Sequence, residues 1–253
     1  IYGICSDGDL MEGISSESTS MAGHMGLGNL IFLYDDNLIS IEGDTSIAFT
    51  EDVGKRFEGF DWQVLEVSDG NDLEAIEKAI DEARADQNRP SLIKVRTKIA
   101  FGSPNKVGTA GAHGAPLGED EVKATKENLG WPAEKQFFVP DQVREHYQKI
   151  VKKGKELQKS WEEKWDAYKA DHPEKANQWK QAKSGELPQA VIDDLPVFTP
   201  EDGAVATRKA SGKVLNYIAE SCPWLIGGSA DLAPSNNTNL SVSSSFSKDN
   251  YGA

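Results

Sequence analysis

Two acidic clusters are of the right type to hold a metal ion: Asp7-Gly8-Asp9 follows an apolar run at 1–5, and Asp35-Asp36-Asn37 follows another at 30–34. A carboxylate from Asp7, an amide oxygen from Asn37 and a nearby backbone carbonyl form an oxygen set that suits Mg²⁺ or Ca²⁺, hard cations that take oxygen ligands. An Asp-Gly pair alone is an ordinary turn, so the chemistry depends on what brings the two clusters together. The apolar runs read as short buried strands and residues 10–24 as a helix, a strand-helix-strand unit of the length a parallel crossover needs. Parallel strands joined this way end on the same edge of the sheet, where open α/β sheets bind ligands. The spacing therefore predicts Asp7 and Asn37 side by side at the carboxyl edge.

The elements that follow continue the pattern. Residues 50–59 read as a short helix and 63–67 as an alternating strand. Residues 72–86 carry Leu73, Ile76, Ala79, Ile80 and Ala83 on one helical face with Asp72 as cap, and 91–97 read as a further strand. Alternating strand and helix predicts a doubly wound parallel sheet. From 101 to 118 the chain turns polar, with Pro104, Gly108, Gly111 and Gly114 allowing close backbone approach, and reads as a binding loop. His113 lies within it, suited to donate to a phosphate or a developing alkoxide. His24, His146 and His172 lie in or near helices with no partner pattern and read as structural or solvated.

Residues 119–129 read as a helix, and 140–183 as long helical segments in which Trp161, Trp165 and Tyr168 recur at helical spacing, packing a connector against the domains. Pro173 and Pro188 break this region. A helix at 202–220, a strand at 224–227 and a polar turn ending at Asn237 read as the start of a second α/β domain. The expected division is 1–130, a helical connector at 131–195, and 196–253. Gly23-His24-Met25-Gly26-Leu27-Gly28 follows a helix and has its glycines in reversed order, so it is not a dinucleotide fingerprint.

Composition narrows the partners. The 253 residues carry 27 Lys and Arg against 41 Asp and Glu, a net charge of −14. That balance argues against nucleic acid, which needs a basic surface. An anionic cofactor would have to be held locally, by a metal ion and helix N-termini. No apolar run approaches the roughly twenty residues that cross a bilayer, and no targeting segment is visible. Cys5 and Cys222 form no metal or disulfide pattern, which points to a reducing cytoplasm.

The wording of these segments resembles transketolases, whose thiamine-diphosphate fingerprint is a Gly-Asp-Gly turn followed about thirty residues later by Asn. Blocks in family order are Asp7-Gly8-Asp9-Leu10-Met11-Glu12-Gly13, Ala22-Gly23-His24, Leu27-Gly28-Asn29-Leu30 and Tyr34-Asp35-Asp36-Asn37. They continue through Glu51-Asp52-Val53-Gly54-Lys55-Arg56-Phe57, His113-Gly114-Ala115-Pro116-Leu117-Gly118, Arg208-Lys209-Ala210-Ser211 and Gly228-Ser229-Ala230-Asp231-Leu232-Ala233-Pro234-Ser235-Asn236. The resemblance implies thiamine diphosphate bound through Mg²⁺ (or Ca²⁺), with Asp7, Asn37 and the Ile39 carbonyl as metal ligands and Gly8 letting the backbone approach the diphosphate. It implies that His113 contacts the diphosphate and stabilises charge on the substrate oxygen. Ile41 and Ile99 resemble residues near the thiazolium, and Asp231 one facing the cofactor from the second domain. Glu12 and Glu17 match acidic positions near the dimer contact and cofactor, with a plain surface role as the competing reading. Arg208 and Ser235 match positions that bind a sugar phosphate, a task suited to a planar guanidinium with a hydroxyl beside it. Ser6 departs from the pattern, standing where the motif usually has its first Gly.

By this resemblance the chain belongs to a cytoplasmic, homodimeric enzyme of the pentose phosphate pathway that passes a two-carbon ketol unit from a ketose phosphate to an aldose phosphate. Both ends look cut. The glutamate that activates the aminopyrimidine would lie beyond Ala253 and the histidines of the substrate funnel before Ile1, so these residues alone are expected to be inactive. An incomplete parallel sheet also leaves an open edge, for which aggregation is expected. Dihydroxyacetone synthase, a related thiamine-diphosphate enzyme, and a non-catalytic metal or phosphate-binding remnant are the alternatives. Residues lining the donor pocket separate the first, and titration with cofactor the second.

Overall fold

The computed structural model describes residues 1–252. They form two compact units, Ile1–Phe138 with Ser247–Asp249, and Val139–Phe246 with the residues from Asn250 on. In the first unit the order is β1 (Tyr2–Ser6), α1 (Asp7–Met11), α2 (Gly13–His24), β2 (Ile31–Asp36), α3 (Val53–Gly59), β3 (Gln63–Val67), α4 (Leu73–Ala85), β4 (Ser91–Arg96) and α5 (Glu119–Asn128). The four strands form one parallel sheet in the order β1-β2-β4-β3. Successive side chains point to opposite faces of a strand, and the sheet is apolar on both. One face packs Cys5, Tyr34 and Leu92 with Leu10, Ala22, Val53, Phe57 and Trp62. The other packs Ile31, Val67, Ile93 and Val95 against Ala79 and Ala83 of α4. Each large apolar side chain so buried contributes about 1.5–3 kcal/mol. The doubly wound α/β sheet expected from the sequence is what forms.

The helix expected at 10–24 is instead two helices, broken at Glu12, whose backbone is extended (ψ 136). Three local causes add up. Gly8 and Gly13 are poor helix residues. The Ser15 hydroxyl donates to the Glu12 carbonyl at 2.7 Å, satisfying it outside a helical ladder. Arg56 from α3 donates through both Nη atoms to the Leu10 carbonyl at 3.2 Å, so α1 ends on a cationic cap. Arg56 Nε also lies 2.8 Å from Glu51 Oε1, an ion pair out of line for a hydrogen bond.

Closely approaching backbones fix where α2 sits. A Cβ at Gly23 would fall 1.7 Å from the Phe60 carbonyl oxygen, and one at Gly28 2.2 Å from Gln87. Trp62 Nε1 donates to the Thr19 carbonyl at 2.9 Å, tying α2 to the start of β3. Asp52 and Asp72 cap α3 and α4, accepting from Lys55 and Ala75 backbone N–H groups at 3.1 and 3.0 Å.

The second unit contains α6 (Asp141–Asp171), α7 (Pro173–Ser184), α8 (Gln189–Asp193), α9 (Thr207–Ser221) and α10 (Ala233–Asn236). Pro173 opens α7, as its missing N–H allows. Trp161, Trp165 and Tyr168 stack on one another along α6, with centroids 5.9 and 5.7 Å apart, and Trp179 of α7 closes on Trp165 at 6.3 Å. The helix expected at 202–220 starts later, because Gly203 turns the chain at φ 71. The strand expected at 224–227 does not form: no strand of this unit among the described residues is there to pair with it, and Leu225 N–H turns back to Cys222. No helix among the described residues is long and apolar enough to cross a membrane.

Candidate functional site at the carboxyl edge of the sheet

Register sets the site. Cys5 pairs with Tyr34 and Ser6 with Asp35, so the chain leaves β1 at Asp7 beside the point where it leaves β2. β2 in turn pairs with β4 through Asp36 and Arg96. Ser6 caps α1 in an extended conformation (φ −129, ψ 179), which any residue adopts. The serine in place of the family glycine therefore costs nothing. Its N–H and hydroxyl both donate to Asp9 Oδ2, at 2.8 and 3.2 Å.

Asp7 is 1% exposed. Its Oδ1 accepts the Tyr34 hydroxyl at 2.5 Å and its Oδ2 the Leu38 N–H at 3.1 Å. This second bond joins the two strand ends, because Leu38 lies between Asn37 and Ile39. Burial pushes the Asp7 carboxyl above its ordinary range, and the two hydrogen bonds draw it part of the way back. Burial and the Asp7 carboxylate together raise the Tyr34 hydroxyl, which stays a donor.

The β2 end is held as firmly. Asn37 Nδ2 donates to Asp35 Oδ2 at 3.1 Å and its Oδ1 accepts the Ile39 N–H at 2.9 Å, which fixes which way the amide faces. The Thr97 hydroxyl donates to Asp35 Oδ1, and Arg96 pairs with the buried Asp36 at 2.8 Å. Ile39 is buried and forms an isolated bridge with Asp44. Leu38 takes a left-handed backbone (φ 62), a conformation costing about 1–2 kcal/mol in a residue with a Cβ. That strain is what turns its N–H onto Asp7.

A divalent ion fits these groups. Both Asp7 oxygens keep a lone pair beyond their single hydrogen bond, as does the oriented Asn37 oxygen. A buried carboxylate raised by desolvation is also the kind of group a cation relieves. No group of three or more His, Cys, Asp or Glu side chains among the described residues is placed to hold a metal; one carboxylate with amide and carbonyl oxygens would be a different kind of set. Gly8 leaves open space where a Cβ would stand, as do Gly108 and Gly114.

His113 lies just after a short 3₁₀ turn, Ala110–Ala112, in the loop beyond β4, and its N–H donates to the Ala110 carbonyl at 2.9 Å. Its Nδ1 is buried and has no hydrogen-bond partner among the described residues. A buried ring nitrogen placed this way can take a hydrogen bond from or to water, an ion or a ligand. Ile99 is half-buried and its carbonyl accepts the Gly108 N–H at 2.9 Å, so it anchors the base of the same loop.

The other residues are more dispersed. Glu12 is exposed at the break between α1 and α2, and Ile41 is 77% exposed. Arg208, Asp231 and Ser235 belong to the second unit and are exposed, Asp231 in a left-handed turn (φ 65). There α9 meets the end of α10 so closely that a Cβ at Gly212 would lie 2.7 Å from the Asn237 carbonyl oxygen. Sequence reasoning missed Tyr34 and Leu38. The signal for Tyr34 was a hydroxyl in an otherwise apolar strand next to an acidic cluster; Leu38 gave none.

Fold and site together define an open α/β protein of the cofactor-binding kind. The model of the family described as "Transketolase, thiamine diphosphate binding domain" matches residues 1–188. The chain belongs to the transketolase family. It is 49% identical over 252 residues to a transketolase of Geobacillus stearothermophilus, and 50% over 251 residues to one of Nostoc sp., covering 99% of this chain and 37% of each relative. The crystal structure of a Pichia stipitis transketolase complexed with sedoheptulose 7-phosphate superposes with a TM-score of 0.93 at 46% identity, covering 99% of this chain and 37% of that one. A transketolase from Leishmania mexicana does so at 0.88 and 41%, covering 94% and 35%. The chain thus spans little more than a third of the relatives it matches.

Proposed function

We propose that these residues hold the diphosphate end of thiamine diphosphate through a divalent ion, Mg²⁺ or Ca²⁺, in an enzyme that moves a two-carbon ketol unit between sugar phosphates. The observation that carries the reading is the 3.1 Å bond from Leu38 N–H to Asp7 Oδ2, which brings the carboxylate beside the Asn37–Ile39 turn. Asp7, Asn37 and the Ile39 carbonyl hold the ion, and its charge offsets the diphosphate that an acidic chain could not otherwise accept. Gly8 gives the phosphates room. His113 offers its unpaired Nδ1 to a diphosphate oxygen or to charge developing on the substrate oxygen. Ile41, Ile99 and Asp231 face the ring portions of the cofactor, and Glu12 lies near the cofactor at a contact between two copies of the full-length protein. Arg208 and Ser235 bind the phosphate of the sugar. When bound, thiamine diphosphate supplies a nucleophilic thiazolium carbon that accepts the ketol unit and passes it on.

The reading extends to a homodimeric, cytoplasmic enzyme of the pentose phosphate pathway acting on sugar phosphates, divided at 1–130, 131–195 and 196–253, with neither nucleic acid nor membrane as partner. Calorimetric titration of the chain with thiamine diphosphate in Mg²⁺ tests its centre. Binding is expected, with a loss of at least tenfold in Asp7→Ala. Equal affinity in both proteins contradicts the reading.

A further inference from the structure

Two side chains of α5 fasten the loop that carries His113 from outside: Asn128 Nδ2 donates to the Gly102 carbonyl at 2.8 Å, and Glu121 makes the larger set of bonds. Glu121, in the first turn of α5, accepts through Oε1 from the Asn105 backbone N–H at 2.8 Å and from the Ser103 hydroxyl, and through Oε2 from Asn105 Nδ2 at 2.8 Å. Ser103 is 2% exposed, and its hydroxyl also accepts the Lys106 N–H at 3.1 Å. From there the bonds run along the loop to the histidine. The Lys106 carbonyl accepts the Thr109 hydroxyl at 2.8 Å, the Thr109 carbonyl accepts Ala112 N–H at 3.1 Å, and the Ala110 carbonyl accepts His113 N–H at 2.9 Å. On the far side Lys106 Nζ donates to the Leu117 carbonyl at 2.9 Å, closing the loop across its mouth.

We propose that Glu121 is a positioning residue: from α5 it anchors the 103–118 loop and through it sets where the His113 imidazole stands. The inference rests on His113 facing the cofactor, as argued above. Its geometry distinguishes it from a surface carboxylate that caps its own helix, because all three of its bonds leave α5 and end on the loop. The same bonds hold the Glu121 carboxyl down at about 2, Ser103 first and Asn105 next.

The test uses the whole chain and a swap. In Glu121→Gln the charged acceptor of the Ser103 and Asn105 bonds is lost, and the new NH2 meets an acceptor on Asn105 only if that amide turns over; adding Asn105→Asp supplies the acceptor without that turn. Amide hydrogen exchange over 103–113 is expected to speed up at least tenfold in E121Q, with a shift of the His113 imidazole nitrogen resonances, while β4 amides keep their protection. The E121Q/N105D double variant is expected to return both readouts towards the parent. Unchanged exchange and unchanged imidazole resonances in E121Q overturn the proposal, as does failure of the swap to restore either. Affinity for thiamine diphosphate with Mg²⁺, measured in E121Q and His113→Ala, separates the two claims. Loss in H113A without loss in E121Q contradicts the positioning role; no loss in H113A contradicts the reading of His113 itself.

Discussion

At the scale of single residues, the site is a buried carboxylate made tolerable by two donors, Tyr34 and Leu38. Removing the hydroxyl in Tyr34→Phe leaves Asp7 with one, and a lost hydrogen bond to a buried charged group costs about 1.5–3 kcal/mol. Urea denaturation is expected to show that loss without Mg²⁺; an unchanged midpoint would mean that the hydroxyl does not hold the carboxylate. Gly8 gives an opposite pair of effects. Nothing among the described residues lies within 4 Å of a Cβ there, so Gly8→Ala is expected to raise stability by about 0.5–1 kcal/mol while weakening thiamine diphosphate binding in calorimetry. The placing of Asp7 beside the Asn37–Ile39 turn and of His113 in the loop beyond β4 was legible in the sequence, because residue types and spacing carry it. Tyr34 and Leu38 were not, since one acts through a hydroxyl buried in an apolar strand and the other through a strained backbone.

At the scale of elements, positions are set by where backbones touch. Gly23 of α2 lies against the Phe60 carbonyl, so Gly23→Ala must force α2 and the turn between α3 and β3 apart. A cost of about 3 kcal/mol is expected, read as a lower denaturation midpoint with the m-value retained; a loss below 0.5 kcal/mol, well under the usual range for overpacking, would mean that the contact yields easily. The staple from α5 adds a pH dependence of known sign. Glu121 sits at about 2, below its ordinary 4.5, beside Lys106. Its contribution is therefore complete above pH 4.5 and is lost as pH falls towards 2. Loop protection, taken as exchange relative to the intrinsic rate at each pH, is expected to fall on that acid limb in the parent and to show no such limb in E121Q. The strands and helices of the sheet were legible, because short apolar runs, the alternation at 63–67, the helical face of α4 and the Asp72 cap mark them. The break at Glu12 was not, since it depends on a capping arginine that comes from α3, more than forty positions on.

At the scale of the whole molecule, β1 and β3 are the edges of the sheet. Ile4 of β1 is 80% exposed and Tyr2 57%. An apolar edge strand is a template for pairing with other chains, so Ile4→Lys is expected to reduce light scattering at high concentration without lowering the melting temperature. The parallel order, the two-faced core and the neighbouring strand ends were all readable from the alternation of elements. The expected strand at 224–227 was not a sound reading, because a strand needs a neighbour that its own sequence does not reveal. What unites these scales is that two strand ends meet at one edge of the sheet, where we propose that their oxygen atoms hold one cation. Anomalous diffraction from crystals grown with Mn²⁺ and thiamine diphosphate tests that most directly. A single peak about 2.1 Å from an Asp7 carboxylate oxygen and from Asn37 Oδ1 is expected; a peak that touches neither side chain would contradict the account.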